Sequence, residues 1–369
     1  MKMKPSIPFA CAALTLFAAA CAVAAPAQAS HLRAPGSISV VASTIPANGD
    51  LNPYGLVRVP ASVGSLLQGN LLVSNFNSSS NLQGTGTSIV QISPDGTNTL
   101  FAQINPNTLP GPCPGGVGLT TALSVLRAGW VIVGSLPTTD GTAATAQAGC
   151  LLVLDSNGNV VETFYGSLIN GPWDMATFDS GSRADLFVAN VLNGTVAAGG
   201  SIVHGGTVVR LSLAVSRATM PSLQSITVIA SGFAERTDPA ALVIGPTGLG
   251  LSHNPDTLYV ADSLNNRVTT IPDPIFRVTS AGTGATVSQG GNLNDPLGLA
   301  LGLDGNILTV NGNNGFLVET TPDGDQINKT LLDSSGNPPG AGALFGLVPV
   351  LGQGLYYVDD ATNTLNLFK

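Results

Sequence analysis

Five side chains recur at the same place in the chain. Asn75, Asn190, Asp262, Asn311 and Asp359 each end a short apolar run, such as Leu186-Phe187-Val188-Ala189-Asn190 or Leu258-Tyr259-Val260-Ala261-Asp262; a sixth run ends at Ser135. Amide and carboxylate oxygens gathered around one point suit Ca²⁺, which takes about 6–8 oxygen ligands. Asn190 and Asp262 are the candidate metal ligands, and all five are candidate ligand-binding residues. The competing expectation is structural. Asx side chains commonly satisfy backbone groups of their own segment, and Asp262 with Arg267 reads as an ion pair inside one hairpin.

Histidine is scarce: His31, His204 and His253 are the three, and no two stand at a metal-binding H-x-x-x-H spacing. His204 and His253 are candidate general bases, or else exposed loop residues. Cys113 and Cys150 are too few for a zinc site alone. Glutamate occurs three times, at Glu162, Glu235 and Glu319. No G-x-S-x-G elbow, phosphate-binding G-x-x-x-x-G-K-[ST] loop or helix-opening G-x-G-x-x-G is present, so serine hydrolase and nucleotide chemistry of those kinds lack their signatures.

The elements that must position these groups are strands. Of 369 residues, 45 are Gly and 25 Pro, and only 9% are charged. Gly and Pro are the poorest helix formers, and a disordered chain carries more charge and less apolar content. A second unit precedes each polar-ended run, a turn leading into a small apolar strand. Examples are Asn52-Pro53-Tyr54-Gly55-Leu56, Gly245-Pro246-Thr247-Gly248-Leu249 and Asp295-Pro296-Leu297-Gly298-Leu299. Taking Gly116-Val117-Gly118-Leu119 as the second copy, five of six copies carry Gly at one place; the third, Gly171-Pro172-Trp173-Asp174-Met175, carries Asp174. Trp173 is then either a ligand platform or core. A third unit is a hairpin about Asp95-Gly96, Asn157-Gly158 or Asp323-Gly324. Strand, strand and hairpin make four antiparallel strands. The unit recurs at intervals of about 50–70 residues, longer than the ~40–45 of a typical propeller blade, so some loops are extended. The expected fold is all-β: a six-bladed β-propeller of four-stranded antiparallel blades. The last repeat is one strand short, and residues 37–45 supply a spare strand that closes it and leaves no open edge.

Two segments carry a resemblance. Leu258-Tyr259-Val260-Ala261-Asp262-Ser263-Leu264-Asn265-Asn266-Arg267-Val268 is similar to the NHL-repeat signature, and Asp295-Pro296-Leu297-Gly298-Leu299-Ala300 to the turn that opens such a repeat. The resemblance implies a six-bladed propeller of the kind shared by NHL sensor domains, gluconolactonase-like enzymes, strictosidine synthase-like proteins and paraoxonases. Gluconolactonase-like enzymes place a metal-binding Glu at the start of the first blade, and this chain has no Glu before Glu162.

The chain begins with Lys2 and Lys4, an apolar run from Ile7 to Ala25, and an Ala27-Gln28-Ala29 cleavage site. That order reads as a secretory signal peptide over residues 1–29, leaving a single domain over 30–369; an uncleaved anchor and a lipoprotein acylated at Cys21 are the alternatives. Cleavage makes the rest of the chain more acidic than the −8 of the whole and leaves Lys329 and Lys369 as its lysines, a poor composition for nucleic acid or an anionic membrane. Cys113 and Cys150 are expected to form a disulfide in a periplasmic or extracellular protein, with two buried thiols as the alternative. Three long loops, residues 76–88, 136–149 and 191–206, fall between the second and third strands of blades 1 to 3, and so share one face. The expected function is a monomeric exported scaffold that binds a protein, glycan or small-molecule ligand there. The alternative is a Ca²⁺-dependent hydrolase, lactonase or lyase.

Overall fold

The computed structural model describes residues 1–3, 36–239 and 241–369; the expected signal peptide and His31 lie outside them, apart from residues 1–3. Among the described residues, twenty-five strands form six sheets arranged as a propeller. Blade 1 is β2 to β5 (residues 51–103), blade 2 β6 to β9 (119–164), blade 3 β10 to β14 (172–244), blade 4 β15 to β18 (246–289) and blade 5 β19 to β22 (296–331). Blade 6 is β23 to β25 (344–368), completed by β1 (Ile38–Ser43), which pairs antiparallel with β25 (Thr364–Phe368) from Ile38↔Phe368 to Ser43↔Thr364. The spare N-terminal strand therefore closes the ring. Gly96, Gly158 and Gly324 take φ of +92°, +85° and +101° in the three hairpins whose turns they mark, the left-handed conformation such turns require.

The strands hold together through their faces. Each of five buried clusters sits between neighbouring blades; Leu72, Ile89, Val131 and Leu152 join blades 1 and 2, for example, and Leu186, Leu211, Ile132 and Val153 join blades 2 and 3. A sixth joins blades 6 and 1 and extends over the central channel. A middle strand buried on both faces has no polar side to show. This is why β3 (Leu71–Asn77) and β11 (Arg183–Asn190) read as nearly unbroken apolar runs rather than as alternation.

The innermost strands line the channel. They are β2 (Leu51–Arg58), β6 (Leu119–Val125), β10 (Pro172–Asp179), β15 (Pro246–Leu251), β19 (Pro296–Leu301) and β23 (Leu344–Val350). Each breaks register against its second strand near its start, a β-bulge repeated six times. Pairing of Leu123 with Val133 makes blade 2 one residue longer here. Ala122, not Gly118, is thus the counterpart of Gly55, and the shared glycine occupies four blades rather than five. Its cause is close approach. A Cβ on Gly248 would sit 2.5 Å from both Leu297 O and Leu299 N of the next blade, and one on Gly346 2.6 Å from Tyr54 O. Gly248→Ala is expected to cost about 1–3 kcal/mol of overpacking, read as a lower urea midpoint with an unchanged m-value.

Blade 3 departs from the four-stranded expectation. Its β13 (Ser222–Asp238) runs 17 residues, pairs with β12 (Val203–Ala214), then continues past it to pair residues 236–238 with a fifth strand, β14 (Leu242–Ile244). That terminal hairpin leaves the blade and lies over the channel, where Ala241 to Ile244 join the cluster containing Tyr54, Trp173 and Phe345.

Cys113 and Cys150 form the disulfide, tying the connection between blades 1 and 2 to β8 (Cys150–Leu154) across a sequence separation of 37. The Cys113→Ala, Cys150→Ala double variant is expected to lose about 3–4 kcal/mol by the loop-entropy relation, measured by urea unfolding against the oxidised parent.

Candidate functional site

Four of the five repeated polar side chains bond close to their own strands, and the fifth, Asn75, keeps a buried Oδ1 with no hydrogen-bond partner. Asn190 Oδ1 accepts from Asn170 N at 3.1 Å, and Asn311 Oδ1 accepts from Asn294 N at 3.1 Å. In both blades the amide fastens the end of the second strand to the loop that enters the first. Asn75 donates to Thr44 O and Ser88 Oγ, and Asp359 accepts from Thr362 N. Asp262 accepts from Arg267 Nη2 at 2.7 Å and Nε at 3.0 Å, and from Asn265 Nδ2. It is the hairpin pair the sequence suggests. The Asp262 carboxylate is thus paired with a guanidinium, and Asn190 Oδ1 already accepts one N–H. Among the described residues, no three His, Cys, Asp or Glu are grouped to hold a metal ion.

The face bearing the long loops is packed. Thr138 N donates to Gly84 O between the loops of blades 1 and 2, and Gln83 Nε2 donates to Pro239 O of the blade 3 hairpin. Beneath that hairpin, Tyr54 stacks between Phe76 and Phe345, with ring centroids 4.4 and 3.8 Å away. Trp173 is 3% exposed, and its indole N–H donates to Val243 O at 3.0 Å. It is packed in the core, where it pins the hairpin over the channel and borders the chamber that Asp174 faces. Burial collects costly groups at this end. It pushes the carboxyls of Glu235 and Asp295 up to about 7 and, with the charge of Asp359 beside it, that of Asp360 up to about 8. The Tyr54 hydroxyl and Asp295 Oδ1 are buried with no hydrogen-bond partner.

His204 is exposed at the start of β12. His253 lies in the connection between β15 and β16 (Thr257–Asp262), which puts it on the opposite face from the long loops. Its Nε2 is 3.0 Å from Gly302 O of blade 5. There it borders an open cleft of about 520 Å³ at the channel mouth, together with Arg127, Thr177, Phe178 and Asp179.

Leu56, Leu123 and Met175 wall both this cleft and a chamber of about 70 Å³ deeper in the channel. Asp174 faces the chamber. It occupies the bulge position where the other blades carry Gly or Ala122, and the gap between blades 3 and 4 admits its carboxylate. Asp174 Oδ2 accepts from Leu249 N of blade 4 at 2.9 Å. Burial among the apolar walls raises its pKa to about 7, against the opposing pull of the Leu249 and Met175 N–H groups. Such a group is protonated and ionised in comparable amounts at neutral pH, so it can either donate or accept a proton. The break in the glycine pattern at Asp174 is visible in the sequence; its enclosure is not, because it depends on how two blades meet.

No family model matches this sequence, and no curated protein does. Solved structures do. The chain is similar to a gluconolactonase from Xanthomonas campestris (12% identity, TM-score 0.56, 91% of this chain and 90% of that chain). It is also similar to the calcium-binding protein regucalcin from Agrobacterium tumefaciens (14%, TM-score 0.55, 88% and 92%) and to a streptogramin B lyase (12%, TM-score 0.52, 90% and 97%). At these identities the likeness is one of fold.

Proposed function

We propose that the protein is an exported acid–base enzyme, a hydrolase or lyase. Its substrate, a small molecule, enters the central channel from the face opposite the long loops. Asp174 carries the reading. It is a carboxyl with a pKa raised to about 7 that lines a chamber adjoining an open cleft, where the other blades carry Gly or Ala122. Its ionised form takes a proton from substrate or from a water that attacks it, and its neutral form returns one to the leaving group. The Leu249 N–H fixes one carboxylate oxygen and so orients the other. The chamber is large enough for one or two waters or for the reacting end of a substrate. Propellers of similar shape include a gluconolactonase and a lyase, so the scaffold supports both reaction types. Fold alone does not choose between them.

The bonding of Asn190, Asp262, Asn311 and Asp359 close to their own strands favours a second reading, a scaffold whose loop face binds a partner. A screen of lactones and esters with the parent protein and Asp174→Asn separates the two. Turnover by the parent that the variant loses supports the channel enzyme. Turnover that survives in the variant sinks the role of Asp174, and no turnover of any substrate leaves the scaffold as the better account.

A further inference from the structure

A second cavity, of about 350 Å³, opens on the same face between blades 3 and 4, walled by Phe178, Phe276, Arg183, Asp185, Asp256 and Asp273. Three features call for a ligand. Phe276 is 77% exposed, an unusual position for a large aromatic ring with nothing to cover it. Asp185 is fully buried; its Oδ1 is bound by Arg183 Nη2 at 3.0 Å and by Ser212 Oγ, with Arg210 Nε 3.8 Å away, while its Oδ2 has no partner. Asp273 takes a left-handed φ of +52° in a turn closed by Phe276 N donating to Asp273 O, and both residues of that turn line the cavity. Asp256 is oriented by Ser252 and Asn254, whereas the carboxylate of Asp273 pairs with no described residue. Arg183 and Arg210 both pair with Asp185, so the three carboxylates still outnumber the guanidinium groups at this wall, and two phenyl rings line the cavity beside them, the ring type that attracts a cation.

We propose that this pocket binds an organic cation of the alkylammonium class, with its charge against Asp273 and Asp256 and its alkyl groups against Phe178 and Phe276. The rings are the reason for an organic cation over a metal ion. A hydrated metal gains little from phenyl walls, whereas an alkylammonium gains from both rings and carboxylates. The inference does not depend on Asp174.

Isothermal titration of the protein with tetramethylammonium chloride, in matched sodium chloride, tests it. Saturable binding is expected. Phe276→Ala and Asp273→Asn should each weaken it at least about five-fold, and Arg183→Gln should tighten it by removing the competing positive charge. Both weakening variants alter exposed side chains and leave the fold intact. Absence of saturable binding, or equal binding by parent, Phe276→Ala and Asp273→Asn, overturns the proposal. So does calcium chloride binding that Asp273→Asn abolishes and Phe276→Ala leaves unchanged, because that pattern marks a metal site.

Discussion

Asp174→Asn is expected to lower kcat on any lactone or ester the protein turns over by about 10²–10⁴-fold, the usual contribution of a positioned proton carrier. The substitution is conservative in shape. An amide oxygen still accepts from Leu249 N, and the chamber keeps its volume, so KM should change little. The pH profile identifies the role. A general base with a pKa of about 7 gives a kcat/KM that rises as pH increases through that value, and a general acid gives the mirror image. Stability supplies the control. The folded-state pKa lies above the ordinary carboxylate value, so the parent loses stability as pH rises from about 4 to 7 through ionisation of this group, and the variant does not. At pH 9 Asp174→Asn should therefore unfold at a higher temperature than the parent while being the slower enzyme. A variant both inactive and less stable at pH 9 would make Asp174 a structural residue.

Strand order was legible in the sequence because each blade repeats the same local grammar. Apolar runs with small or polar ends, Asp-Gly and Asn-Gly turns, and one strand too few at the C-terminus together imply the closure of β25 by β1. The Asp262–Arg267 pair was legible for the same reason, since a hairpin brings those positions together. Features decided between blades were not. Nothing in residues 236–244 distinguishes a loop from a fifth strand until Trp173, Tyr54 and Phe345 supply the apolar floor on which it lies. The bulge of blade 2 is one residue longer than the others, and the Gly118-Leu119 pair four residues earlier mimics the position that Ala122-Leu123 occupies. Whether the polar strand ends meet at one point or serve their own blades depends on rotamer and twist. Asn190 and Asn311 resolve it identically, each accepting one N–H from the loop ahead of its first strand. The side on which a site opens follows from connection parity. His253 falls in a link between first and second strands, and the cavities at the channel mouth and between blades 3 and 4 lie with it.

Thermal unfolding should show this protein more stable near pH 4.5 than at pH 9, the reverse of ordinary acid sensitivity. Asp174 and Asp295 are raised to about 7 and Asp360 to about 8, in each case first by burial. A raised carboxyl binds its proton more tightly folded than unfolded, so it stabilises fully below the unfolded value near 4 and loses that contribution as pH climbs through the folded one. Each unit is worth about 1.4 kcal/mol. Even one effective unit from each of the three removes about 4 kcal/mol between pH 4 and 8, a fall of several degrees in Tm. The surface carboxyls Asp95, Asp140 and Asp256 pull the other way. Hydrogen bonds hold them below the usual range, and their contribution disappears only as pH drops under about 4. The maximum therefore belongs near pH 4–5. Asp360→Asn and Asp295→Asn should flatten the alkaline limb while leaving the acid limb in place. A Tm that is flat or rising from pH 5 to 9 would mean that water reaches these carboxyls. The hairpin of residues 236–244 would then not seal the loop-face end of the channel, and a substrate could enter from that face.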